Sequence, residues 1–359
     1  MNIGIPKERR SFEFRVGMTP SGVHLLCQAG HTCYVEHEAG LSAGFSDQEY
    51  EQAGARIVYS GHEVFGRADL LLKVTRPLFE EIEWLRPGTS LAGLLHLNSS
   101  REDKINLMLG KRINCLAYEQ IILPDSSFPV RGPLSQIGGR LVPQIAARLL
   151  QSDAGGKGVL LGGIAGVPPA EVVIIGAGLV GKCAAISFMN MGAHVTLIDI
   201  DLNTLQDIVD QSYSIATLIS NPVNIARSVC YADVVVGSVL VPGERAPIVV
   251  TREMVRSMKP RSLLMDISID EGGCVESSHP TTHQHSTFIE EGVMHYCVPN
   301  IPSVVARTST YAFTNAAFPY ILEVANKGIQ MAMASNPAIE SGVGTLDGEA
   351  RFARISPSR

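Results

Sequence analysis

Residues 171–181 read EVVIIGAGLVG and place Gly176, Gly178 and Gly181 directly after a β-branched run. The spacing is that of a dinucleotide-binding turn. The first glycine allows a tight turn, the second lets backbone approach a pyrophosphate, and the third lets the following helix close on the sheet. Leu179 and Val180 open that helix, whose free N–H groups and positive dipole end suit phosphate oxygens. A second strand, HVTLID, then ends in Asp199, about as far on as a ribose-binding acid should stand. A carboxylate there accepts from the adenosine ribose and repels a 2′-phosphate, with Asp201 adding to the repulsion, so the expected cofactor is NAD. A lone GxGxxG is a weak signal; the strand, turn, helix, strand and acid in order make this one specific.

The first third of the chain carries a different set of groups. Arg15 lies in FRVGMTP just before a helix start, Lys73 closes the apolar strand LLLKV, and His96 follows the apolar strand LAGLL. Ligands of open α/β sheets sit outside the carboxyl ends of strands. Two cations and an imidazole at such ends could bind a carboxylate and move a proton. Taken singly, each has a plainer reading: a lysine or arginine is usually a solvated charge, and a histidine after a strand a structural one. Later, MDISIDEGGCVESSHPTTH offers Asp266 at a strand end and Asp270 in a glycine-containing loop. The spacings of His279, His283, His285 and His295 match no metal site, so no metal is expected.

These groups need a scaffold. Short β-branched runs at 2–5, 32–36, 70–74, 91–95 and 113–117 alternate with amphipathic stretches at 20–29, 47–53, 78–85 and 101–109. That alternation predicts a mostly parallel α/β domain. A helix is expected over 134–151, then strands at 172–175, 195–199, 234–236, 263–267 and 295–298, a helix over 308–327 and a polar, glycine-rich tail. A length of 359 residues suits two domains. The charge of −6 gives no electrostatic reason to bind nucleic acid or anionic membrane. No apolar run is long enough to span a bilayer, and the charged start MNIGIPKERR is no signal peptide. Seven scattered cysteines without a CxxC pair suit buried thiols in a reducing, cytoplasmic setting.

Longer strings carry a resemblance. IGIPKERRSFEFRVGMTPSGV, GHTCYVEHEAGLSAGFSDQEY, ADLLLKV, LLHLN, AYEQI, GGKGVLLGGIAGVPPAEVVIIGAGLVG, and the run from HYCVPNIPSVVARTST to TNAAFPYI look like the alanine dehydrogenase family over nearly the whole chain. Transhydrogenase alpha subunits and saccharopine dehydrogenases are weaker relatives of the same build. The resemblance implies two Rossmann-like domains, mostly parallel sheets flanked by helices and separated by a cleft. Residues 1–128 and 306–359 would form the substrate domain and 129–305 the NAD-binding domain. It also implies a homohexamer.

The implied activity is NAD-dependent oxidative deamination of a small L-2-amino acid to its 2-oxo acid and ammonia, and the reverse. Matched residue by residue, Arg15 is the carboxylate-binding arginine, Lys73 the substrate-binding lysine, Asn300 a substrate neighbour, and His96 and Asp270 the catalytic pair. Ser135, Asp199, Ser220, Val239, Leu240, Ile269 and Asp270 fall at cofactor positions. An imine-reducing enzyme of the saccharopine type and a transhydrogenase-like nucleotide-binding subunit are the alternatives; the second has no need of His96 and Asp270 together.

The sequence departs from the family around these groups. Thr75 and Arg76 stand before Pro77 where the family has KEP after the strand, and Leu95 replaces a tyrosine before the histidine. VRGPLSQIGG carries Arg131, Leu134 and Gln136 in place of leucine, methionine and glutamate, and Ile301 replaces methionine or leucine. An arginine is costly to leave unpaired in a closed cleft. Arg131 therefore predicts either a substrate with a second polar or anionic group, or a side chain engaged elsewhere.

Overall fold

The computed structural model describes residues 1–241 and 245–351; 242–244 and the last part of the polar tail, 352–359, lie outside them. The chain divides into two units, Met1–Leu134 with Pro302–Arg359, and Ser135–Ile301.

The first unit opens with six strands: β1 (Asn2–Ile5), β2 (Thr32–Glu36), β3 (Arg56–Val58), β4 (Leu70–Thr75), β5 (Ser90–Leu94) and β6 (Asn114–Ala117). Helices α1 (Pro20–Gln28), α2 (Asp47–Gln52), α3 (Gly61–Arg67), α4 (Phe79–Trp84) and α5 (Glu102–Gly110) connect them. The strands pair in parallel in the order β3-β2-β1-β4-β5-β6. Parallel strands are covered on both faces, which is why LLLKVT and SLAGL read as continuous runs and are almost wholly buried. Local signals set the helix starts. Thr19 accepts from Gly22 N ahead of Pro20, and Ser46 and Glu49 form a capping box. The order reverses between β1 and β4. Such a switch point splays the two following loops apart and leaves room for a ligand.

The long helix α6 (Arg131–Leu149) leads into the second unit. There β7 (Glu171–Ile175), β8 (His194–Asp199), β9 (Ile215–Ile219), β10 (Val234–Gly237), β11 (Leu263–Asp266), β12 (Thr287–Glu290) and β13 (Val293–Tyr296) form one sheet. Its order is β12-β13-β11-β10-β7-β8-β9, parallel except for β12. Helices α7 (Leu179–Asn190), α8 (Leu202–Asp210), α9 (Pro222–Tyr231) and α10 (Arg252–Arg256) belong to it. Its switch point lies between β7 and β10. The strand expected at 295–298 is centred two residues earlier, because Cys297 and Val298 are buried in the turn that follows rather than in the ladder.

The chain then returns to the first unit through α11 (Ala306–Lys327), α12 (Ile329–Ser335), α13 (Pro337–Gly342), β14 (Val343–Leu346) and β15 (Glu349–Ala350). This corrects the reading of everything past 327 as tail. The strand β14 pairs antiparallel with β6, and Thr345 Oγ1 both accepts from Cys115 N at 3.1 Å and donates to Ile113 O at 2.6 Å. Among the described residues no helix is long and apolar enough to cross a membrane.

Candidate active site

At the first switch point the sequence singled out two cations, and the structure buries both. Arg15 is 2% exposed and Lys73 1%, so neither is a solvated surface charge. Gly17 is packed so tightly on β4 that a Cβ there would lie 2.1 Å from Leu72 O. That contact brings the loop after β1 against the strand bearing Lys73. Arg15 donates from Nε and Nη2 to the two carboxylate oxygens of Glu13, at 2.7 and 2.6 Å. Lys73 Nζ lies 3.0 Å from Glu81 and 3.1 Å from Glu8. Glu8 also accepts from Val74 N at 2.6 Å and Thr75 Oγ1 at 3.1 Å. Burial alone would lower the Lys73 pKa, but Glu8 and then Glu81 outweigh it and hold the ammonium charged. Burial pushes the Glu8 carboxyl up, against the pull of Lys73. These three glutamates escaped the sequence reading; the only signal for them was acids within apolar surroundings, which carries no period.

His96 follows β5, one strand further along. It is exposed, and its backbone is left-handed at φ 44°, ψ 49°. Its amide and that of Leu95 both donate to Glu119, at 2.6 and 3.0 Å. Leu95 itself lies in the core with Phe65, Leu71 and Leu97. Substitution of a tyrosine there therefore alters packing beneath the histidine rather than a surface facing ligand. Arg131 opens α6 with its guanidinium 5.6 Å from the Phe128 ring centroid, and its charge acts on Glu119.

The second unit collects the cofactor set at the carboxyl ends of its strands. Gly176 has φ +101°, and a Cβ there would meet Ser238 O at 2.4 Å. A Cβ on Gly181 would meet Gly176 O at 1.8 Å. Gly176 requires glycine for contact and conformation, Gly181 for contact alone. At Gly178, by contrast, a Cβ would meet nothing within 4 Å, and no side chain caps the α7 amides. The protein itself thus sets no steric limit at Gly178, and the start of α7 lies open where a pyrophosphate would approach. Leu179 is 43% and Leu240 44% exposed, and Val180 and Val239 are half-buried. Asp199 ends β8. One of its oxygens accepts from Ala177 N at 2.5 Å and the other from Asp201 N at 2.9 Å, so this acid also braces the glycine turn. Asp201 caps α8 through Asn203 N and Thr204. Ser220 N bonds Asp199 O at 2.7 Å. Ser135 stands one turn before Gly139, where a Cβ would meet Val180 O at 2.5 Å, so α6 enters beside the start of α7.

Ile269 is buried and Asp270 exposed in the turn after β11, and Asp270 accepts from Asn300 N at 3.1 Å. Asp266, the other aspartate of that strand, is fully buried. It accepts from the amides of Ser268, Cys274 and Val275, which makes it the organiser of the loop rather than a proton carrier. His295 is committed to Ser277 and Val293 O and stacks with Phe288, which stacks with His279.

Two switch points, one with a glycine turn and an acid, the other with buried cations one strand from an exposed histidine, define the class: a two-unit α/β protein of the Rossmann-like, nucleotide-binding kind. Comparison with known proteins narrows it. Residues 4–138 match the family description "Alanine dehydrogenase/PNT, N-terminal domain", and residues 142–353 match "Alanine dehydrogenase/PNT, C-terminal domain". The chain is 45% identical to the alanine dehydrogenase of Methanococcus maripaludis, covering 99% of this chain and 96% of that one. It is 42% identical to that of Bacillus subtilis, covering 99% and 94%. A solved L-alanine dehydrogenase superposes with a TM-score of 0.94 at 40% identity, over 98% of this chain and 97% of that one. A transhydrogenase from Sinorhizobium meliloti shares the fold at 23% identity, with a TM-score of 0.85 over 98% and 100% of the two chains. The chain belongs to the alanine dehydrogenase/PNT family.

Proposed function

We propose that the protein catalyses the NAD-dependent oxidative deamination of L-alanine to pyruvate and ammonia, and the reverse amination. The observation that carries this reading is the pairing, at one switch point, of two buried cations with an exposed histidine on the next strand. A carboxylate anchor and a proton carrier are what an amino-acid substrate needs. Glu13 grips Arg15 through Nε and Nη2 and so fixes the plane of the guanidinium that would meet the substrate carboxylate. Lys73, kept charged by Glu8 and Glu81, polarises the reacting oxygen. NAD, when bound, would supply the acceptor for the hydride of the α-carbon. His96 takes the proton of the water that adds to the resulting imine and returns it to the departing nitrogen. In the second unit Asp270, which accepts from Asn300 N at 3.1 Å, takes the role of the catalytic aspartate that the family resemblance implies.

The residues of the second unit fit NAD: uncapped α7 amides for the pyrophosphate, and Asp199 for an unphosphorylated ribose. Arg131 has an engagement of its own on Phe128 and Glu119, which leaves alanine as the simplest substrate. A cytoplasmic homohexamer is part of the same proposal, supported by the family; light scattering checks the assembly. The activity is tested by following NADH oxidation with pyruvate and ammonium, against glycine or lysine as nitrogen donor. His96→Ala should lose about 10²–10⁴-fold in turnover while still binding NADH. Turnover only with an amino-acid donor, or none with pyruvate, overturns the reading.

A further inference from the structure

The chain leaves β6 at Ala117 and turns through Tyr118–Gln120, which brings the Glu119 carboxylate beneath the end of β5. Two consecutive amides converge on it: His96 N at 2.6 Å to one oxygen and Leu95 N at 3.0 Å to the other. Consecutive N–H groups point the same way only where the backbone leaves the extended form, and His96 does so with φ 44°. A left-handed conformation is strained for a residue with a side chain, so something must hold it. The carbonyl side is held as well, because Ser99 N, Ser99 Oγ and Ser100 Oγ all donate to His96 O. The imidazole is thus exposed on a backbone pinned at both ends.

We propose that Glu119 is the positioning residue of His96, its carboxylate clamping the Leu95–His96 amides in the left-handed turn. The inference rests on the assignment of His96 as the proton carrier. Burial pushes Glu119 up to about 7, while the two amides and Arg131 pull the other way. The His96 imidazole it positions belongs to the one side-chain type that ordinarily ionises near neutrality. The Cys115 thiol on β6 is pushed up to about 12, chiefly by burial. Tyr118 is buried and its phenol pushed far up. On α13, Glu340 stands 3.7 Å from Arg351. As pH falls through about 7, protonation turns one acceptor oxygen into a donor facing an N–H, and the clamp opens on that side. Turnover should therefore rise with pH through this range.

The test measures kcat, KM and NADH affinity from pH 6 to 9 with pyruvate and ammonium, in the protein as it stands and in Glu119→Gln, Arg131→Leu and His96→Ala. Glu119→Gln keeps one acceptor and turns a donor on the other amide. The expected result is a fall in kcat on the order of 10²-fold, the scale of a 1 Å misplacement, with NADH affinity kept and the acid limb of the pH profile shifted. Arg131 pulls the Glu119 carboxyl down, so Arg131→Leu, with both acceptors in place, should move that limb to higher pH. Normal kcat in a folded Glu119→Gln overturns the proposal. If Glu119→Gln does not fold, Glu119→Asp, which draws the carboxylate back from the two amides, decides by the same kcat and NADH readings. His96→Ala separates the two levels. If it abolishes turnover while both other variants behave as the parent, only the clamp fails; if it retains turnover, the assignment of His96 fails and the clamp with it.

Discussion

Lys73→Met removes the cation between two buried carboxylates and keeps the volume of the side chain. The side chains of Lys73, Glu8 and Glu81 are 1–2% exposed, so solvent does not screen them. At 3.0–3.1 Å, each contact has a gross attraction of about 5 kcal/mol at an effective dielectric of 20. Desolvation of the three groups consumes most of that in the parent protein. In the variant the desolvation of the carboxylates remains and the attraction does not. Breaking one side of a buried pair costs about 3–5 kcal/mol. For a unit of about 190 residues this is a drop in Tm of roughly 6–20 °C.

The pH dependence has a definite sign. The Glu8 carboxyl is already raised by burial and rises further without Lys73. A group whose folded pKa lies above its unfolded value favours the folded state on the acid side and loses that contribution as pH rises. The defect should thus be small near pH 5.5 and full near pH 8. Adding Glu81→Gln should recover less than half of the stability, because Glu81 keeps Arg9 at 3.6 Å as a second partner, and none of the activity. Thermal unfolding across that range, with an NADH-linked assay on the same samples, reads both. A loss below about 1 kcal/mol, equal at both pH values, would refute the view of Lys73 as the centre of a charged triad.

Three further expectations follow from single contacts. Asp199→Ala should weaken NADH binding both by losing the ribose acceptor and by freeing Ala177 N, and should narrow the gap between NADH and NADPH; a parent that already prefers NADPH contradicts the ribose argument. Gly181→Ala sets a Cβ 1.8 Å from Gly176 O, so the turn must open; calorimetry should show NADH affinity falling at least tenfold and stability falling by about 1–3 kcal/mol, and unchanged binding would mean that the turn does not hold the cofactor. Arg76→Glu should raise Tm by a degree or more, because Arg76 pushes down the pKa of both Arg10 and Lys104 after burial; a fall in Tm would show that the three cations are not in mutual repulsion.

The second unit was readable because its signals are local. The glycine turn, the β-branched run before it and the acid after HVTLID lie within thirty residues of one another, and β7, α7 and β8 stand where those residues put them. His96 was readable for the same reason, as a polar residue just past an apolar run. Its support was not. Glu119 reaches it from across the β5–β6 pair, and an acid after a strand has no spacing to mark it. The short edge strand β9 escaped because three of its five residues are exposed and its pattern is mixed. The strand β14 escaped because VGTL is short and contains a glycine. Its pairing depends on β6, more than two hundred residues earlier. Propensity can suggest a strand; only the partner's edge makes one of those four residues.

The late return of the chain governs the order in which the protein is made. A ribosome releases the whole of the second unit while the segment after Pro302 is still being added, so that unit can close first. The first unit emerges earlier yet must wait, its β6 edge unpaired until β14 arrives. An open edge is a template for other chains. The nascent protein therefore passes through a stage in which its later half is finished and its earlier half is adhesive. Limited proteolysis of chains arrested just short of β14, with the second unit clear of the ribosome, should find the first unit cleavable and the second resistant, and a stop codon there should leave an insoluble product.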